Sequence, residues 1–383
     1  MSALRIIVTG SIAQHLLSGM TWHHVQYVLG LARLGHDVYY IEDTGKDSYD
    51  PRARTVVENC DSNVAYLARI MSRFGLADRW AYCHLHHQWF GLSERKRATA
   101  IDSADLLLNV SGMLGRPEAY PNISRLAYID TDPVFNQAKL ARDDSRFRQL
   151  VNAHDAHFSF GERLTRALPA TGYDWRPTRQ PIVLSEWSAT PARTNVFSTI
   201  MNWSATSKTT RYRDRTYGQK DVELLRFLDL PKLVAPTVLK IALDPGTKTQ
   251  APLDLLSSKG WRLVDPQKAC SGLDSYRSYI ESSMAEWSVA KNGYVCAKPG
   301  WFSDRSACYL AAGRPVVVQD TGFSSVLPTG KGIVSFATLE EAAAGINDVR
   351  AHYERHSDAA RTIASEYFDA RKVLPRLVEE ALG

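Results

Sequence analysis

Short apolar runs alternate along the chain with longer stretches whose apolar positions recur every three or four residues. LRIIVTG is the first run and stops at Gly10, as a parallel strand buried on both faces would. Residues 21–34 follow, with Val25, Val28, Leu29, Ala32 and Leu34 at mostly helical spacing, Thr21 as the cap and Gly35 as the stop. DVYYIED is a second strand, so the chain opens on a strand–helix–strand unit. The spacing then predicts one long amphipathic helix over 53–74 and strands in ADLLLNV, RLAYIDTD and HDAHFSFG.

From 172 to 193 the period is lost and three prolines enter. This predicts a linker over 179–194 between a first domain, 1–178, and a second, 195–365. The second domain restarts the alternation. NVFSTIMNW, VLKIALD, WRLVDP, YVCAK, PVVVQDTG and GIVSFA read as strands, while KDVELLRFLDL, LDSYRSYIESSMAEWSVAK and SDRSACYLAAG read as helices. The final helix, 366–383, is expected to pack back on the first domain. The predicted fold class is α/β, with two Rossmann-like doubly wound domains facing across a cleft. Ligands of such sheets bind beyond the carboxyl ends of the strands, so the loops after strands carry the chemistry.

With 383 residues, 44% of them hydrophobic and 23% charged, the chain can fill two ordinary cores. The formal net charge of +5 is mild and scattered; it tolerates an anionic ligand without calling for nucleic acid. Five cysteines without a CxxC pair read as reduced thiols of a cytoplasmic protein. Neither a signal peptide nor a membrane span of about 20 apolar residues is expected.

The stretch GWFSDRSACYLAAGRPVVVQDTG, residues 300–322, carries the sharpest signal. Ser303 can cap a helix that begins at Asp304, or the same helix end can present its N–H groups to a diphosphate. Ala311, Ala312 and Gly313 let that helix lie close on a sheet, and Asp320, Thr321 and Gly322 form the loop after the next strand. This order, followed by GIVSFATLEEAAAGI, resembles the nucleotide-sugar-binding half of GT-B glycosyltransferases, above all their large retaining group. GLARLGHDVYYIED (30–43) is similar to the first helix and second strand of the same fold. The resemblance implies a metal-independent, hexosyltransferase-like enzyme without a cofactor, its co-substrate a UDP-sugar or other NDP-sugar. One departure stands out: the two glutamates of the retaining group fall on Gly300 and Cys308, leaving Asp304 and Asp320 as the nearest acids.

For the donor the resemblance and the loop chemistry nominate Arg215 and Lys220, then Gly300, Trp301, Ser303, Asp304 and Arg305, then Asp320, Thr321 and Gly322. Arg211, Arg213 and Lys291 are further cations near these loops. A departing diphosphate needs such cations or N–H groups because charge builds there in the transition state. A general base for the acceptor is sought in His23, His24, Asp130 and Asp132, and the acceptor itself around Gly19, Thr21, Trp22 and Asp43. Cys83, His84, His86 and His87 read as a polar surface strand in preference to a zinc site, since no spacing supplies further ligands. The expected reaction moves a sugar to an acceptor hydroxyl or base substituent, with a small-molecule acceptor ahead of nucleic acid. The competing readings are an epimerase or hydrolase of the same fold, a non-catalytic nucleotide-binding relative, and a transferase acting on a DNA base.

Overall fold

The computed structural model describes residues 3–51, 53–142, 144–164, 168–188, 194–204, 209–246 and 250–383. Residues 189–193 of the expected linker lie outside the described residues.

The first sheet contains β1 (Arg5–Thr9), β2 (Asp37–Glu42), β3 (Trp80–His84), β4 (Gln88–Gly91), β5 (Leu106–Val110), β6 (Leu126–Asp130), β7 (Ala156–Ser159) and β8 (Trp175–Pro177). Their order is β8-β7-β6-β5-β1-β2-β3-β4, parallel throughout except for the β3–β4 hairpin. Ile6, Ile7, Val8, Leu106, Leu107 and Leu108 are wholly buried, because helices cover both faces of a parallel sheet.

The second sheet contains β9 (Val196–Asn202), β10 (Val238–Asp244), β11 (Arg262–Val264), β12 (Ala285–Ser288), β13 (Val316–Gln319) and β14 (Ile333–Phe336). Its order, β11-β10-β9-β12-β13-β14, is fully parallel. Both sheets therefore reverse their winding beside the first strand, between β1 and β5 and between β9 and β12. Those are the crevices where doubly wound sheets take ligands.

Four helices matter for the site: α1 (Ser18–Arg33), α2 (Asn292–Ala297), α3 (Asp304–Ala311) and α4 (Ala370–Leu382). α4 lies on α1, and the approach is close enough that a Cβ on Gly30 would stand 2.5 Å from Leu374 Cδ1. Just before α4 the chain meets the segment entering the second half. The Ile182 N–H donates to the Phe368 carbonyl (2.6 Å), and the Ala370 N–H donates to the Ile182 carbonyl (2.9 Å). One apolar cluster runs on from the first half into Tyr276, Phe302 and Phe368.

Several local expectations change. α1 begins at Ser18, with Leu17 and not Thr21 at its cap. The helix expected over 53–74 begins only at Asp61, because Ser48–Asp50 and Thr55–Val57 form a hairpin. AEWS (285–288), expected within a helix, is strand β12, and YVCA, expected as a strand, lies in α2. The helix expected in KDVELLRFLDL is broken into short turns, the first being Lys220–Leu224. β3 is buried, with Cys83 1% and His84 4% exposed, so it is no surface strand.

Candidate functional site

The loops after the strands of both sheets enclose a cleft of about 250 Å³. Ser111 follows β5, Thr131 and Asp132 follow β6, and Phe160 follows β7; Lys291 follows β12 in the other half. His23 enters from α1, and Lys220 from the short helix Lys220–Leu224. Trp301, Ser303, Asp304 and Arg305 come from the start of α3. Ser111 has φ +60, a left-handed backbone that non-glycine residues adopt rarely and that clusters at functional sites.

On the first half's wall His23 is 5% exposed. Its Nδ1 is 2.5 Å from Gln180 Oε1, and its Nε2 is 3.3 Å from Ser111 Oγ. Burial pushes the imidazole below its ordinary pKa, against the opposite pull of Asp304 and of the Gln180 hydrogen bond. The neutral imidazole is thereby favoured.

On the facing wall Lys220 is half-buried, and burial next to Arg305 and Lys291 brings its pKa down to about 7. No carboxylate among the described residues forms an ion pair with it, and Asp304 and Glu286 only soften the loss. The Ser303 side chain makes no cap hydrogen bond, so the first-turn N–H groups of α3 stay available beside it. Lys291 Nζ reaches across the cleft to Asp132 Oδ1 at 2.7 Å, and the Tyr294 hydroxyl donates to the same oxygen. Trp301 stacks on Tyr294, with ring centroids 4.4 Å apart.

Three nominated residues brace the cleft, and of them Arg305 also lines it. Arg305 is 8% exposed, and its guanidinium is spent on Glu286 Oε1 (2.6 Å), the Ile200 carbonyl (2.7 Å) and Ser288 Oγ (3.0 Å). These bonds tie the first turn of α3 to β9 and β12. Thr321 Oγ1 donates to the Trp301 carbonyl, and the Gly300 N–H donates to the Thr321 carbonyl at 2.9 Å. The loops at 300–305 and 320–322 thus form one unit. Gly300 has φ +79, and a Cβ there would stand 2.9 Å from the Arg163 backbone nitrogen. Gly300→Ala is expected to lower unfolding free energy by about 1–3 kcal/mol, read by urea denaturation.

Other nominated residues stand away from the cleft. Asp320 is taken by Lys298 Nζ (2.9 Å) and the Gly322 N–H (3.0 Å), so it closes its own turn. A Cβ on Gly322 (φ +91) would stand 2.7 Å from the Lys298 carbonyl oxygen. Asp130 is wholly buried and saturated by Asn136, Gln137, Ser159 and the Asp132 N–H, leaving no lone pair for an acceptor proton. His24 points beneath the β1 loop, where a Cβ on Gly10 would stand 2.6 Å from its Nδ1. Thr21 bonds Tyr66 and the Leu17 carbonyl, and Trp22 donates to the Leu273 carbonyl, both in packed interior. Gly19 abuts Tyr276, and Asp43 pairs with His86 and Tyr120. Arg211, Arg213 and Arg215 stay on the exposed hairpin Thr210–Tyr212/Arg215–Tyr217. Sequence reasoning missed Ser111, Thr131, Phe160, Tyr294 and Gln180. For Ser111 a signal existed, a Ser-Gly pair directly after the LLLNV strand.

Solved structures share this overall fold. An alpha-glucosyltransferase in complex with UDP and a 13-mer DNA superposes over 100% of both chains, with a TM-score of 0.63 at 11% identity. The chain has the GT-B fold. The Anabaena protein HepE in complex with UDP-glucose shares it over 98% of both chains, with a TM-score of 0.57 at 10% identity. No family model matches the sequence. Among curated proteins, phosphoribosylamine–glycine ligase of Halalkalibacterium halodurans is 26% identical over 121 residues, 32% of this chain. The chain spans about a quarter of that ligase's length, since the match covers 27% of it. In GT-B terms, the Lys220 wall belongs to the second domain and the His23 wall to the first.

Proposed function

We propose that this protein is a glycosyltransferase that moves a sugar from a UDP-sugar to an acceptor hydroxyl. One observation supports it above the rest: Lys220, without an ion-pair partner among the described residues, stands beside the uncapped first turn of α3. A cation and free N–H groups at the carboxyl end of a doubly wound sheet are suited to a diphosphate. The bound UDP of the solved neighbours supports uridine as the base.

The acceptor oxygen attacks the anomeric carbon, and the bond from that carbon to the diphosphate oxygen breaks. The electron pair leaves on the diphosphate, where Lys220, Lys291 and the α3 N–H groups meet the growing charge. His23 Nε2 receives the acceptor proton once the Ser111 hydroxyl, 3.3 Å away, turns from that lone pair or relays the proton. Asp304, partly exposed in the cleft, is placed to accept from sugar hydroxyls where the retaining group uses glutamate. Free thiols in all five cysteines support a cytoplasmic setting.

A DNA acceptor is the second reading. Lys46, Lys139 and Arg146 converge closely enough to depress the Lys46 pKa, burial being the larger cause, and one solved neighbour carries DNA. Both readings meet one experiment: thermal shift and calorimetry with UDP, other nucleoside diphosphates and their sugars, then an acceptor panel containing DNA at two salt concentrations. UDP at 100 times its Kd should add about 2.7 kcal/mol of apparent stability. Failure of every nucleotide to bind sinks the transferase reading; no transfer to DNA at either salt concentration sinks the second.

A further inference from the structure

Gln180 lies in the segment that leads from the first half to the second, and it is 2% exposed. Its amide nitrogen is 3.1 Å from the His23 carbonyl and 3.0 Å from the Pro181 carbonyl. Two carbonyls can only accept, so the NH2 group must face them, and this fixes the amide orientation. Oε1 is then the atom that meets His23 Nδ1 at 2.5 Å, and an oxygen with no hydrogen can only accept. The proton of neutral His23 therefore sits on Nδ1, and Nε2 is bare. Ser111 Oγ donates to that bare nitrogen, and the Thr131 hydroxyl stands behind it at 2.7 Å.

We infer that Gln180 is a positioning residue that locks His23 in the tautomer whose unprotonated Nε2 meets Ser111 Oγ at the cleft wall. This rests on the reading of His23 as the acceptor base, but the tautomer itself does not. A base must present its lone pair, not its N–H, to the proton it takes. Glutamine does this without a buried negative charge, so the imidazole stays neutral and is not held as imidazolium. The other groups facing His23 do not set the tautomer. The His24 ring is 4.8 Å away and the Tyr27 ring 6.0 Å, both on α1, and Phe160 is apolar. Asp304 acts on it through space, from α3.

The experiment is long-range 1H–15N correlation on protein labelled at histidine nitrogens, near pH 7, without ligand. Wild type should show His23 with Nδ1 protonated and Nε2 unprotonated. Gln180→Met, close to glutamine in length, should lose that state. Its turnover of UDP-sugar and acceptor should fall about 10- to 100-fold with little change in donor KM. Gln180→Glu keeps an acceptor at Nδ1, at a cost in stability because its second oxygen then faces the His23 and Pro181 carbonyls. It should restore the tautomer and, through its charge, move the acid limb of kcat/KM to higher pH.

A protonated Nε2 in wild type, or an unchanged tautomer in Gln180→Met, overturns the inference. If Gln180→Met does not fold, the wild-type and Gln180→Glu spectra decide. A changed tautomer with undiminished turnover leaves the lock standing and removes His23 as the base.

Discussion

Lys220→Met is expected to lower kcat/KM for the UDP-sugar by about 10²–10³-fold, equivalent to about 2.7–4 kcal/mol of lost transition-state stabilisation. The methionine keeps the stem and removes only the charge. Most of the loss should fall on kcat, because charge on the diphosphate is greatest as the sugar departs. Binding should also carry a pH signature. In the free protein burial holds Lys220 at about 7, below its ordinary 10.5, so folding disfavours its proton. Stability of the free protein on this account rises with pH between about 7 and 10.5 and is flat below 7. A bound diphosphate restores the charged form and takes up a proton. UDP affinity should therefore fall as pH rises above 7, within the range where the phosphates are already ionised. Calorimetry in buffers of different ionisation enthalpy reads the uptake, and Lys220→Met should abolish it. A pH-independent affinity from 7.5 to 9 in wild type would contradict the assignment.

Arg305→Met should cost about 3–5 kcal/mol of stability, the largest single-residue effect on folding expected here. Glu286 lies in the middle of a parallel sheet with no exposure, and Arg305 holds one of its oxygens. The other oxygen, Oε2, has no hydrogen-bond partner among the described residues. Removing the guanidinium leaves a carboxylate stranded in the core, along with the Ile200 carbonyl and the Ser288 hydroxyl it also served. Arg305→Met with Glu286→Leu should recover most of the loss, since a matched apolar pair strands no charge. Urea denaturation of the two single variants and the pair closes the cycle. Near-additive losses would mean that the two side chains do not depend on one another.

The same pair shows why part of the fold was hidden in the sequence. The strands around Ile6 to Val8 and Val316 to Val318 are continuous apolar runs, and such runs announce themselves. AEWS does not, because its Glu286 is a core residue only by virtue of Arg305, nineteen positions on. A window that cannot see the arginine reads glutamate as solvent-facing and joins the strand to the preceding helix. Thr55 to Val57 was the opposite case: a β-branched run that belongs to a hairpin was absorbed into a helix prediction because its flanks fit the period. Among site residues, those near the α3 start were legible because phosphate chemistry favours a loop followed by a helix terminus. Asp130 and Asp132 look alike in YIDTDP, yet one is saturated inside and the other bridges the cleft. Only the third dimension separates them. Gln180, in an aperiodic proline-rich stretch, offered no signal.

The two passages of the chain between the halves run side by side at Ile182 and Asp369, next to Gln180. A swing of one half against the other would turn about that line, like a lid on a single hinge pin. His23 belongs to the first half and Lys220 to the second, so such a swing would set the gap from the proposed proton acceptor to the leaving group. The Lys291–Asp132 pair, bridging the two halves at 2.7 Å, would be the catch on that lid. An arriving diphosphate that draws Lys291 away from Asp132 would lift the catch and take its place.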